Sequence, residues 1–344
     1  MASAHSRHWT RTGHMAQTAL ADSAWATAGP VVPVGKNKSG STPMHLARRT
    51  QSTPHPSDLR FQRTPSGEGP SGADYTPAGF PHAMAEHDFD PDAFPLVVAH
   101  RGASSTHPEN TLASFQAALD LGAPLVELDV RLSAEGVPVV LHDPDVSRTT
   151  DGAGLVHKLT LEQLQKFNAG PAERPERIPE LREVLELVSG RGGLALEIKN
   201  IPGEPAYDEE REAIVEAALS EVEGTGFRGP VLLLSFNPRS IAASRRIASG
   251  IATGLLVTDA VDPDSALALA VEARHEFVLP GHRGLIAAGP GFVSRAHEAG
   301  VLVGTWTVDD PATVRMLFDW DVDAVASNDP AMALGVLAEW RDGS

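Results

Sequence analysis

From Leu96 onward the chain alternates short, continuous apolar runs with longer amphipathic stretches. The runs are Leu96–Ala99, Leu125–Val130, Leu194–Ile198, Val231–Phe236, Ala252–Val257, Phe277–Leu279, Val301–Val308 and Ala324–Ala326. Runs that are apolar throughout, rather than at every second position, suit parallel strands covered on both faces. Between them the spacing predicts helices at Asn110–Leu121, Ile178–Val188, Tyr207–Glu221, Pro238–Ala248, Pro263–Arg274, Ile286–Ala299 and Pro311–Trp320. Several open with Asn, Asp or Pro and close before Gly, as helix caps do. One further run, Pro138–Leu141, follows Val130 too soon for a parallel crossover, which needs a dozen or more residues. With Glu135-Gly136 as its turn, it reads as the antiparallel partner of the second strand. Setting it aside leaves eight βα units over residues 96–335, close to the roughly 250 residues of a (β/α)8 barrel. Residues 143–180 are punctuated by Gly and Pro around one short helix, Thr160–Lys166. They read as a small insertion over the barrel mouth.

Residues 1–90 show neither a strand nor a helix period and are rich in Ser, Thr, Pro, Gly, Ala and His. They are expected to be a disordered, low-complexity tail to a single barrel domain spanning 91–344. Charge divides at the same place. The first 83 residues carry 8 Lys/Arg and 4 Asp/Glu, the remainder 20 and 41. So acidic a body argues against nucleic acid as a partner. An anionic substrate then needs a metal and a few local cations to offset the field. The absence of cysteine excludes disulfides and thiolate chemistry. Neither a signal-peptide run nor a membrane-length apolar stretch is present, so a soluble, cytoplasmic protein without stable membrane insertion is expected. The oligomeric state is not legible.

A (β/α)8 barrel carries its active site at the C-terminal ends of the strands. There the sequence places His100-Arg101-Gly102 after the first run, Glu127 and Asp129 on the second, and His142-Asp143 after the hairpin. Glu197 and Lys199 stand on the third, Trp306 on the seventh and Asn328-Asp329 after the eighth. Glu127, Asp129 and Glu197 interrupt otherwise apolar strands. Carboxylates crowded together repel unless a cation lies among them. A hard divalent ion, Mg2+ or Ca2+, suits an all-oxygen set; salt bridges to Arg101 and Lys199 are the other reading. His100 and His142 have the near-neutral pKa of a base and an acid working in one turnover. Arg101 and Lys199 suit an anionic phosphate, although Lys199 also has Glu197 as a possible partner. Trp306 is either barrel core or an apolar pocket wall.

These residues stand in an ordered set. It comprises His100-Arg101-Gly102, Pro108-Glu109-Asn110-Thr111, Val126-Glu127-Leu128-Asp129-Val130, Val139-Val140-Leu141-His142-Asp143, Arg148-Thr149-Thr150, Leu196-Glu197-Ile198-Lys199, Ser235-Phe236, Trp306-Thr307-Val308 and Asn328-Asp329-Pro330. The set resembles the glycerophosphodiester phosphodiesterase family, barrels related to phosphatidylinositol phospholipase C, over about residues 96–335. The resemblance implies hydrolysis of small glycerophosphodiesters to glycerol phosphate and an alcohol. It implies a divalent ion on Glu127, Asp129 and Glu197 and acid–base work by His100 and His142. Glu109 and Asn328 are expected one layer behind these groups, and Pro108–Thr111 is expected to cap the first helix and brace the His100 loop. Two departures stand out. Many members read Trp-Thr-Val-Asn where this chain has Asp309, and Thr-Asp-x-Pro where it has Ser327-Asn328-Asp329-Pro330. The rival readings are a lysophospholipase D or sphingomyelinase D-like enzyme and a barrel that binds phosphodiesters without turnover.

Overall fold

The computed structural model describes Phe89 and residues 93–343, apart from Ser249. The tail expected over residues 1–90 therefore lies outside the described residues, Phe89 excepted. Nine strands form one sheet: β1 (Leu96–His100), β2 (Leu125–Leu132), β3 (Pro138–Val140), β4 (Gly193–Ile198), β5 (Val231–Ser235), β6 (Ala252–Val257), β7 (Phe277–Pro280), β8 (Leu302–Thr305) and β9 (Ala324–Ser327). Eight are parallel, and β1 pairs with both β2 and β9, which closes the barrel. The ninth, β3, lies antiparallel on the end of β2, with Val130 opposite Val140 and Leu132 opposite Pro138. The hairpin read from Pro138–Leu141 is thus present, tied by Ser133 N–H donating to the Val137 carbonyl at 2.9 Å.

Ten α-helices lie among the described residues: α1 (Leu112–Asp120), α2 (Leu161–Leu164), α3 (Leu181–Val188), α4 (Ala213–Thr225), α5 (Pro238–Ile247), α6 (Pro263–Ala273), α7 (His282–Ala288), α8 (Pro290–Glu298), α9 (Pro311–Asp319) and α10 (Pro330–Asp342), with two 3-10 turns at Val146–Arg148 and Val156–Lys158. Several boundaries differ from the sequence reading, three of them as follows. The helix expected from Tyr207 starts only at Ala213. Asp208 ties up the backbone N–H groups of Glu210, Arg211 and Ala213, and Glu212 sits in the left-handed region at φ 53°. The stretch Ile286–Ala299 is two helices, because Gly289 (φ 75°) and Pro290 break the backbone hydrogen-bond ladder between them. The seventh barrel strand ends at Thr305 rather than Val308.

The core has two layers. Side chains alternating along the strands fill the barrel interior, among them Leu96, Val98, Leu125, Leu232, Leu234, Leu256, Phe277 and Leu279. Their neighbours point outward and pack beneath the helices, as Val126, Leu128 and Val130 do under Phe115, Val184 and Leu185. Glu127 and Asp129 fall on the inward side of β2, so the alternation that makes the core also aims two carboxylates into the barrel mouth. At the opposite end Phe89 and Phe94 stack against Phe277, with ring centroids 5.9 and 6.4 Å from it. The insertion keeps a small core of its own, in which Val146, Val156, Leu164 and Ile178 bury against Val139 and Leu141. No helix among the described residues is long and apolar enough to cross a membrane.

Candidate active site

Strand register assembles the site. Residue His100 pairs with Glu127 across β1 and β2, and Asp129 pairs with Glu197 across β2 and β4. Ligand atoms of Glu127, Asp129 and Glu197 lie within 4.8 Å of one another, and all three residues are buried. His142, just beyond β3, is brought to the same mouth, and the two rings share a cavity of about 50 Å³ with Glu127, Glu197, Arg101 and Lys199. Leu234, Phe236, Leu279 and Trp306 line its apolar side. Trp306 is half-buried; its indole N–H donates to the Leu279 carbonyl at 3.0 Å and its ring meets Phe236 edge to face. It belongs both to the core and to the pocket wall.

The turn after β1 is demanding. Arg101 adopts φ 58° and Gly102 φ 81°, and a Cβ on Gly102 would collide with Ser114. Close approach is needed because Ser114 Oγ donates to the Arg101 carbonyl at 2.9 Å. Thr111 caps α1 by accepting from Ser114 N–H at 3.2 Å. The Pro108–Thr111 segment thus holds the loop that carries His100 and Arg101.

The carboxylates meet two cations. Lys199 Nζ lies 2.9 Å from Asp129 Oδ1 and bonds Glu197 as well, while Arg101 Nε lies 3.1 Å from Asp129 Oδ2. The ion pairs expected as one reading of the cluster are therefore present. They do not satisfy it. Arg101 Nε beside Asp129 Oδ2 and Lys199 Nζ beside Asp129 Oδ1 are close as charges but too poorly aligned to hydrogen-bond, and Glu127 Oε1 is buried without any hydrogen-bond partner. An orphaned buried carboxylate oxygen is costly. Burial, with the charges of Asp129 and Glu197, pushes the Glu127 carboxyl well above its ordinary pKa, and burial also raises Glu197. Asp129 goes the other way: Lys199 and Arg101 outweigh its burial and hold it well below. Three inward carboxylates, two with an orphaned oxygen and two with raised pKa, fit a hard divalent cation by their donor chemistry.

Both rings are held neutral. Burial and then the Arg101 charge lower His100 to about 4; burial, Arg101 and Lys199 lower His142 to about 3. Each has a partner on Nδ1. For His100 it is Asn328 Oδ1 at 2.7 Å, and for His142 it is Asp143 Oδ1 at 2.5 Å. Asp143 in turn accepts from Arg148 Nε at 2.5 Å, and Arg148 grips Glu109 with two nitrogens at 2.9 and 2.7 Å. Glu109 also accepts from Arg101 at 3.0 Å, and the two arginines hold its carboxyl down near 2 despite burial. A continuous ionic chain therefore links His142 to Arg101 around the mouth.

Asn110, which the sequence reading placed in the segment bracing the His100 loop, also donates to Asp129 Oδ2 at 2.7 Å. Other members of this assembly carry no assigned role in the sequence reading. Arg131 forms a buried bidentate pair with Glu204, at 2.7 and 3.2 Å, and its Nε donates to the His142 carbonyl at 2.8 Å. Asp309 accepts from Asn328. Arg131 had one visible signal, since it stands two residues beyond Asp129 on the inward side of an apolar strand. Glu204 and Asp309 lie in loops with no such mark.

Comparison with known proteins supports the barrel fold and the family resemblance. Residues 100–332 match the model of the glycerophosphoryl diester phosphodiesterase family. The chain is 34% identical over 247 residues to a glycerophosphodiester phosphodiesterase of Caldanaerobacter subterraneus subsp. tengcongensis, covering 70% of this chain and 97% of that one. It superposes with TM-score 0.65 and 31% identity on the structure of an Oleispira antarctica phosphodiesterase in complex with the product sn-glycerol-3-phosphate, covering 72% of this chain and 98% of that one. A glycerophosphodiester phosphodiesterase structure from Agrobacterium tumefaciens gives TM-score 0.59 at 26% identity, over 70% and 99% of the two chains. Matched along most of its length in sequence and in barrel architecture, the chain belongs to the glycerophosphoryl diester phosphodiesterase family.

Proposed function

We propose that this chain hydrolyses small glycerophosphodiesters to glycerol 3-phosphate and an alcohol, with a divalent cation on Glu127, Asp129 and Glu197 and with His100 and His142 as proton carriers. The observation that carries this reading is the meeting of two buried neutral imidazoles with an inward carboxylate trio whose Glu127 Oε1 is unsatisfied. The relatives named for this activity, and the product named in the Oleispira antarctica structure, support the substrate class.

A divalent ion in the trio would neutralise phosphate charge and so stabilise the charge built up in the transition state. Arg101 and Lys199 add positive charge at the same mouth, where a phosphate oxygen would meet them. A neutral ring is the correct starting state for a general base, and a bound anion would bring its lowered pKa back toward neutrality for proton uptake. An anionic phosphodiester placed between the rings favours the imidazolium of whichever ring it faces. That ring can then protonate the departing alkoxide. The attacking hydroxyl belongs either to water or to the glycerol 2-position, the latter giving a cyclic phosphate that water opens in a second step. Beside the cavity a groove of about 400 Å³ runs past Arg101, Ser104, Glu109 and Asp309 and offers room for the alcohol.

The test is turnover of water-soluble glycerophosphocholine. Release of glycerol 3-phosphate, abolished by chelator and restored by Mg2+ or Ca2+, is expected. Choline released only from lysolipid micelles would replace this reading with a lysophospholipase D. Binding without product would replace it with a non-catalytic barrel.

A further inference from the structure

The two histidines obtain the same service by different means. His142 Nδ1 meets a carboxylate, Asp143, whose two oxygens are alike. His100 Nδ1 meets the side-chain amide of Asn328 at 2.7 Å. An amide has an acceptor on one side and a donor on the other. Which side faces the ring decides whether Nδ1 must donate or accept. Something has to hold the amide in one orientation.

We propose that Asp309 is a positioning residue that fixes the orientation of the Asn328 amide and thereby sets the tautomer of His100. Asp309 follows β8 and Asn328 follows β9, neighbouring strands of the barrel. Asp309 Oδ2 accepts from Asn328 Nδ2 at 2.7 Å, and Asp309 Oδ1 accepts from the Asn328 backbone N–H at 2.8 Å and from Ser327 Oγ at 3.0 Å. A carboxylate can only accept, so the amide NH2 must face it and the amide oxygen must face away. That oxygen lies 2.7 Å from His100 Nδ1 and 3.0 Å from Ser104 Oγ. Flipping the amide would set a carbonyl oxygen against a carboxylate and lose a charge-assisted hydrogen bond, about twice as strong as a neutral one. With Asn328 Oδ1 as acceptor, His100 carries its proton on Nδ1. Its Nε2 then presents a lone pair toward Glu127, 4.0 Å from Oε2, on the side where the reacting oxygens would lie.

The effect on rate rests on the proposed role of His100; the tautomer does not, and so the test reads both. The full chain, labelled with 15N at histidine, is measured metal-free and with Mg2+, and the His100 signals are identified by their loss in His100→Ala. Wild type is expected to show His100 protonated on Nδ1. In D309N two amide NH2 groups face each other, the relief is a flip of Asn328, and His100 should move its proton to Nε2. The kcat should fall about 10–100-fold, the cost typical of losing such an outer partner, with KM changed less than about twofold. In N328D two carboxylates abut, and kcat should fall too. D309N/N328D restores a donor opposite each acceptor and should recover the Nδ1–H tautomer and most of kcat. A His100 tautomer unchanged by D309N, or a double variant no faster than the slower single, would overturn the proposal. If the tautomer moves as stated while wild type hydrolyses no phosphodiester, the positioning role stands and the proposed function fails.

Discussion

Glu127→Gln gives the sharpest test of the carboxylate trio, because it separates the fold from the metal. In the metal-free protein Glu127 is pushed toward its protonated form by burial and by Asp129 and Glu197. Gln is then a near-neutral replacement, and thermal stability without metal should stay within about 0.5 kcal/mol of wild type. Metal binding should suffer. At an effective dielectric near 20, two unit charges about 4 Å apart interact by about 4 kcal/mol. If desolvation returns a third to a half of that, affinity falls on the order of 100-fold. At a metal concentration of about 100 times the wild-type Kd, binding stabilises the native state by about 2.7 kcal/mol, but the variant by only about 0.4 kcal/mol. For a domain of this size each kcal/mol moves Tm by about 2–4 °C. Wild type should therefore gain about 5–11 °C and the variant about 1–2 °C, read by differential scanning fluorimetry with Mg2+ and with Ca2+. pH adds a second check. The folded pKa values of Glu127 and Glu197 are raised, so the metal-free native state binds more protons than the unfolded chain above the ordinary carboxylate range. Their contribution falls as pH rises through the raised values. Metal displaces those protons, so the metal-induced Tm gain should grow with pH across that window. An equal Tm gain for Glu127→Gln and wild type would refute the reasoning and leave the trio as a set of ion pairs.

The histidine pair should give a bell-shaped pH–rate profile whose two limbs belong to the coupled site. His100→Ala and His142→Ala should each cost on the order of 10²–10⁴ in rate. On a nitrophenyl phosphodiester, whose leaving group needs no proton, only the variant lacking the general acid should recover; equal losses on both substrates would rule out proton transfer. Arg131→Met strands the buried Glu204 carboxylate and should destabilise the fold by about 3–5 kcal/mol in urea unfolding, whereas Arg131→Met with Glu204→Met should recover most of it; a double variant as unstable as the single would show that packing, not charge, is at stake. A chain beginning at Met84 keeps Phe89, whose ring packs on Phe277 at the base of the barrel. Its kcat on glycerophosphocholine should match the full chain, and a clear loss would show that residues before Met84 contribute.

The metal and ion-pair readings of the trio turn out to be less opposed than they look in sequence. Lys199 and Arg101 lie beside Asp129 and Lys199 bonds Glu197, yet Asp129 Oδ1 is unsatisfied and Glu127 Oε1 has no partner. On the proposed reading, the cations would substitute in part for a divalent ion and would face a bound phosphate.

The barrel could be read from the sequence alone because its parallel strands are covered on both faces. Each then appears as an unbroken apolar run, and a carboxylate or histidine inside or ending such a run has no apolar reason to be there. That is why His100, Glu127, Asp129, His142, Glu197 and Lys199 stood out individually. Their meeting was a matter of register, which sets His100 beside Glu127 and Asp129 beside Glu197 only when the barrel closes. The roles of the partners that tune them were hidden. Asp143 and Arg148 appeared only as motif neighbours, Asp309 only as a departure and Glu204 not at all, because charge in a polar loop is ordinary composition. Helix limits at Ala213 and Gly289 were likewise decided by local capping and backbone geometry rather than by hydrophobic period. Periodicity records which face of each element is buried, and so fixes the layers. A hydrogen bond such as that from Asn328 to Asp309 joins the loops that follow neighbouring strands, and only the folded chain brings its donor and acceptor within reach.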